Sequence, residues 1–133
     1  MREKRLAHEC KKDFFIVNAD NSIATIPPYE IRIPALYPFS SPKVFRYGND
    51  VIIPLSKLFI KHKEFIDLYK IKLECICCAS ITCAWSPCNK IMEAVNEIKN
   101  YSVLLRSIDK CVYLFPKLPF DDNICFCIVQ YLV

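Results

Sequence analysis

The stretch from Tyr29 to Val44, YEIRIPALYPFSSPKV, constrains the chain more than any other. Tyr29, Ile31 and Ile33 alternate with Glu30 and Arg32, the period of two expected of an antiparallel strand with one buried and one wet face. Pro34 ends the run, since proline has no N–H to give to a sheet. Pro38 and Pro42 stiffen the turn that follows and are expected to set Tyr37 and Phe39 against a core, before Lys43–Tyr47 resumes as a strand. Tyr29–Pro34 and Lys43–Tyr47 are therefore expected to lie side by side, antiparallel. Upstream, Phe14–Val17 and a segment from Ser22 flank the turn-forming run Asn18-Ala19-Asp20-Asn21, which predicts two further strands.

Around this meander the period changes to that of a helix. Arg2–Lys12 places Leu6, Ala7 and Cys10 on one face and leaves Arg2, Glu3, Lys4, Glu9 and Lys11 for solvent. Leu55 to Leu73 carries Leu55, Leu58, Phe59, Phe65, Ile66, Tyr69 and Leu73 at helical spacing, with His62 on the apolar side as a packed, hydrogen-bonded core histidine. Ser86-Pro87 has the composition of an N-cap followed by the first helical position. Ile91, Ala94, Val95, Ile98 and Leu105 then line an inner face as far as about Ser107. After a loop, LFPKLPFDDN, Asp121 or Asp122 can cap a short last helix over Asn123–Leu132. Helices bracketing three or four short strands make an α+β fold. With no internal repeat or linker, residues 1–133 read as a single domain.

Composition removes several classes of function. The net charge of +4 comes from 18 basic and 14 acidic residues, and the lysines are dispersed, whereas a nucleic-acid surface needs a concentrated basic stripe. No apolar run approaches the roughly 20 residues that span a bilayer. The N-terminal MREKRLAHECKKDFF lacks the apolar stretch of a secretory signal. With that signal missing, the odd count of 9 cysteines in a chain that is 53% hydrophobic argues for reduced thiols in cytosol or nucleus, not a secreted disulfide scaffold.

Three features occur in order: a strand entering YPFSSPKV, a downstream cysteine, and Trp85-Ser86-Pro87 followed by KIMEAVNEI. Together they resemble the ubiquitin-conjugating enzymes over about Tyr29–Val44 and Ile76–Ile98. The closest likeness is to divergent members from large DNA viruses. The resemblance implies an N-terminal helix, a short antiparallel meander, a crossover helix after W-S-P and a short C-terminal helix. It also implies a role in the ubiquitin pathway of a host cytoplasm or nucleus. The partners would be ubiquitin or a ubiquitin-like modifier, an activating enzyme and a ligase. No cofactor, nucleic acid or membrane is implied. In that family the catalytic cysteine lies eight residues before the Trp, which here selects Cys77, with the aliphatic Ile76 before it. Cys77 would accept ubiquitin as a thioester and pass the acyl group to an amine or another thiol.

The chain also departs from the family. A His-Pro-Asn turn precedes the family's cysteine, and its places are taken here by Asp67, Leu68 and Tyr69. The amide that stabilises the oxyanion of aminolysis is thus missing, a loss typically worth about 2.7–4 kcal/mol. The glycine-rich hairpin is absent, and Leu55–Leu73 is an insertion expected to be helical and to cover Cys77 in part. These departures leave an inactive module that binds ubiquitin or a ligase as the alternative. Cys75, Cys78, Cys83 and Cys88 could in principle supply four thiolates to a structural zinc. Their placement across a short loop and a helix start predicts that they do not converge on one. Cys78 and Cys88, the other candidate thiols nearby, read as small packing residues. The tail LPFDDNICFCIVQYL resembles the opening of an F-box but is too short to complete one, so it reads as a covering helix.

Overall fold

The structure is a computed structural model, and it describes residues 1–132. Helix α1 (Arg2–Asp13) leads into strands β1 (Ile16–Val17), β2 (Ile23–Ile26), β3 (Tyr29–Arg32), β4 (Lys43–Arg46) and β5 (Asn49–Asp50). Helices α2 (Ile52–Lys61), α3 (Lys63–Leu68), α4 (Ile76–Ala79), α5 (Ile91–Leu114) and α6 (Asp122–Leu132) follow, with a 3₁₀ turn at Phe115–Lys117. The strands form one antiparallel sheet in chain order, a mixed α+β meander.

The central pair is as the alternation predicts. Glu30, Ile31 and Arg32 lie opposite Phe45, Val44 and Lys43, with Tyr29, Ile31 and Ile33 buried and Glu30 and Arg32 exposed. The sheet is one strand longer than expected, because Tyr47 and Gly48 both take positive φ and close a two-residue hairpin between β4 and β5. The only glycine of the chain stands at a position that demands that conformation. The first strand is shorter than expected. Phe14 ends α1 in the left-handed region and points into solvent, so only Ile16 and Val17 pair, with Thr25 and Ala24.

Two apolar clusters fill the interior. One gathers Leu6, Ala24, Ile31, Tyr37, Val44, Ile76, Ile91, Val95 and Ile98 between the sheet, α1 and the first half of α5. The other gathers Phe59, Ile66, Ile71, Leu105, Ile108 and Val129 between α2, α3, α6 and the second half of α5. Leu55 and Tyr101 touch both, so the long helix α5 is the axle of the molecule.

Several expectations give way to tertiary contacts. Glu9 is not solvated: it is only 1% exposed, and it accepts hydrogen bonds from Arg5, the Tyr37 hydroxyl (2.5 Å) and the Ile91 N–H (3.1 Å). Ala7 is exposed instead. Tyr37 packs inward as expected, but Phe39 remains 63% exposed because its N–H closes a turn onto the Leu36 carbonyl. Leu55–Leu73 is helical only as far as Leu68 and breaks at His62. The break is where the buried His62 ring meets Asp109 of α5 at 2.6 Å, as a bonded core histidine. Lys70 then takes a positive φ and the chain continues without regular secondary structure from Ile71, whose side chain is buried.

Helix α5 starts at Ile91, not near Ser86. Ser86 and Asn89 close a turn on each other, Asn89 N–H to Ser86 O at 2.9 Å and Ser86 N–H to Asn89 Oδ1 at 2.8 Å. The start itself is held by Glu93, which accepts from the Lys90 N–H (2.9 Å), and by Glu9 from α1. At the far end α5 outruns the expected stop near Ser107, continuing to Leu114. Asp121 caps α6 by accepting the Ile124 N–H at 2.8 Å. This helix buries Cys125 and Val129 against the second cluster but leaves Ile124, Phe126 and Tyr131 exposed. No helix among the described residues is long and apolar enough to cross a membrane.

Candidate functional site

The segment from Glu74 to Asn89 lies between the insertion and α5, and its anchors decide what it presents. Ile76 and Ser80 are each 2% exposed, fixing the two ends of α4 into the protein. Between them Cys77, Cys78 and Ala79 face solvent. Upstream, the Tyr101 hydroxyl donates to the Glu74 carbonyl at 2.9 Å. Burial pushes this phenol up to about 12. Downstream, Glu97 accepts the Ile81 N–H at 2.8 Å, while Ser80 Oγ accepts the Cys83 N–H at 3.1 Å and lies 3.0 Å from the Thr82 hydroxyl. Trp85 closes the segment. Its Nε1–H donates to the Pro38 carbonyl at 2.7 Å, and its ring rests 5.9 Å from that of Tyr37.

The lone tryptophan thus ties the cysteine segment to the Tyr37-Pro38-Phe39 turn, and it is half-buried there against the first cluster. Tyr37 is held in turn by Glu9, and Arg5 reaches across to donate to the Asn89 carbonyl at 2.8 Å. Desolvation, then the Glu9 carboxylate, raises the Tyr37 phenol well above its ordinary range.

Cys77 lies beside an open groove of about 270 Å³, walled by Pro42 and Val44 on one side, Ile52 and Ile53 of α2 on another, and Ser80, Thr82 and Cys83. No residue of the Leu55–Leu73 insertion lines this groove, and the Cys77 thiol is exposed, not covered in part as expected. Its sulfur is 2.9 Å from Cys75 Sγ and 3.4 Å from Cys78 Sγ. Cys83 lines the same groove and Cys88 is exposed on the Ser86–Asn89 turn. Among the described residues, no three His, Cys, Asp or Glu side chains are grouped so as to hold a metal ion.

The positions that the sequence resemblance sets against an Asn-bearing turn sit elsewhere. Asp67 and Leu68 end α3, and Tyr69 stacks among Phe65, Phe115 and Phe126 beside the second cluster. The groove lining at Cys77 contains no Asn or Gln. Its polar groups are the hydroxyls of Ser41, Ser80 and Thr82, with Lys43 and Asp50.

Sequence reasoning missed Glu9, Glu97 and Tyr101, all three of which hold the site. Tyr101 lies three residues after Ile98 and was legible as part of the inner face. Glu9 lies between Leu6 and Cys10 on α1, and its place near that apolar stripe was a signal that its charge concealed.

No protein-family model, no curated protein and no solved structure matches the chain.

Proposed function

We propose that the protein acts in the ubiquitin pathway as a divergent relative of the ubiquitin-conjugating enzymes, with Cys77 accepting the modifier's C-terminal acyl group. The observation that carries the reading is the presentation of Cys77. It is an exposed thiol on a one-turn helix, pinned at both ends, beside a groove and between a meander sheet and a long helix. Thioester exchange needs an accessible thiolate and a docked donor and little more. The Cys77 sulfur attacks the carbonyl of the activating enzyme's thioester, the new C–S bond forms, and the activating enzyme's thiolate leaves. An open groove next to the thiol gives the extended C-terminus of a modifier a place to lie.

Transfer to an amine asks for more. Negative charge develops on the carbonyl oxygen, and the groove offers hydroxyls where the family offers an amide. Cys77 is therefore expected to load faster than it discharges to free lysine, and to hand its acyl group preferentially to a thiol. Incubation with activating enzyme, ATP and ubiquitin, followed by a lysine chase on a non-reducing gel, tests this. A thiol-sensitive adduct that persists through the chase is the expected result, and rapid discharge to lysine would refute the missing-donor argument.

The second reading, a non-catalytic module that binds ubiquitin or a ligase, is favoured by the same lack of an amide and by the exposed Leu36 and Phe39 on the turn that Trp85 holds. Binding of ubiquitin with no adduct under charging conditions is its signature.

A further inference from the structure

Three of the nine cysteines meet at one place. Cys75 immediately precedes α4, Cys77 and Cys78 occupy its solvent face, and the three sulfurs are linked by separations of 2.9 and 3.4 Å. Packing does not explain the grouping, since Cys77 and Cys78 are exposed and Cys75 is partly so. Cysteines kept for their bulk are buried, as Cys111 and Cys125 are here.

We propose that Cys75 and Cys77 form a peroxide-sensitive dithiol, in which Cys77 is oxidised first and Cys75 resolves it to a reversible disulfide. Bonded sulfurs lie about 2.04 Å apart, so the pair must close by roughly 0.9 Å, within reach of a small side-chain rotation. Cys77 is the more exposed and meets the oxidant first. Its thiolate attacks one oxygen of a hydroperoxide. The O–O bond breaks, that oxygen stays on sulfur as a sulfenic acid, and the other oxygen departs as hydroxide. The Cys75 thiolate then attacks the sulfenic sulfur, the S–S bond forms, and a second hydroxide leaves. The two sulfurs together give up two electrons, and the two thiol protons complete the two waters that hydrogen peroxide yields.

Cys78 is the poorer resolving partner. It is farther away, and a bond between neighbours would close a small ring around a helical peptide. A Cys75–Cys77 link encloses one intervening residue, so it restricts the unfolded chain little and is exposed to reductant, which makes it labile. Bond formation stands independently of the function proposed above. Only its consequence, loss of the nucleophile that would carry the acyl group, rests on that reading.

The test is titration of the full-length protein with limiting hydrogen peroxide, followed by blocking of the remaining thiols and fragmentation mass spectrometry of the peptide that contains Cys75 to Cys88. The expected result in wild type is loss of a pair of thiols mapped to Cys75 and Cys77 and restored by dithiothreitol, with the same loss in Cys78→Ser. In Cys75→Ser the sulfenic acid on Cys77 should persist and be trapped by dimedone. Mapping of the first bond in wild type to Cys77–Cys78, to Cys83, or between two molecules would overturn the proposal. So would oxidation that leaves both Cys75 and Cys77 reduced. The wild-type map decides the matter even if a variant folds poorly.

Discussion

At the residue scale, one buried carboxylate organises the surroundings of the candidate site. Glu9 takes a guanidinium, a phenol and a helix N-terminal N–H at once, which is how a charge survives at 1% exposure. Removing one member of such a set leaves the others desolvated and unpaired, and buried ion pairs cut in this way lose about 3–5 kcal/mol. Glu9→Ala is therefore expected to lower unfolding stability by about 3 kcal/mol in urea titrations, and Glu9→Gln, which keeps an acceptor, by clearly less. A second consequence concerns alkali. Tyr101 is pushed up to about 12 by burial, so the folded state holds this proton more tightly than the unfolded chain, whose phenol titrates near 10. Its contribution is complete below about pH 10 and is lost as pH rises from there toward 12. The tyrosinate absorbance of the native protein should thus show a late-titrating fraction that Tyr101→Phe reduces.

At the element scale, the start of α5 separates local from tertiary information. Ser86-Pro87 has the composition of a helix start, yet Asn89 draws Ser86 into a turn, and the helix waits for Glu93 and Glu9. Glu93→Ala should cost about 1 kcal/mol, the typical worth of a helix cap, whereas Ser86→Ala should stay within about 0.5 kcal/mol, as for an ordinary surface change. Equal costs, read from denaturant midpoints, would return the cap to Ser86. The same division explains what was legible in the sequence. The β3–β4 pair, the inner face of α5 and the cap of α6 were readable because each is written in spacing or in residues a few positions apart. The break at His62 depends on Asp109, and the burial of Glu9 on Tyr37 and Ile91. Such partners are remote in the chain, so no local pattern announces them. The cluster of cysteines around Cys77 is plain in the sequence, but Cys77 could be selected within it only through the W-S-P spacing, and which sulfurs meet depends on the turn of α4.

At the scale of the whole molecule, α5 runs through both apolar clusters, while the cysteine segment hangs from its first half by Glu97 and Tyr101 and from the sheet side by Trp85. The site is a held surface on the sheet-bearing half, and the second cluster supports it from behind through Leu55 and Tyr101. The function we propose for this arrangement rests on a single thiol. The most direct measurement is intact-mass analysis after charging with activating enzyme, ATP and ubiquitin, applied to wild type, Cys77→Ser and Cys78→Ser. The account predicts one ubiquitin on wild type and on Cys78→Ser, removed by dithiothreitol, and no thiol-sensitive adduct on Cys77→Ser. A thiol-sensitive adduct that survives Cys77→Ser, or no adduct on any of the three, would contradict it.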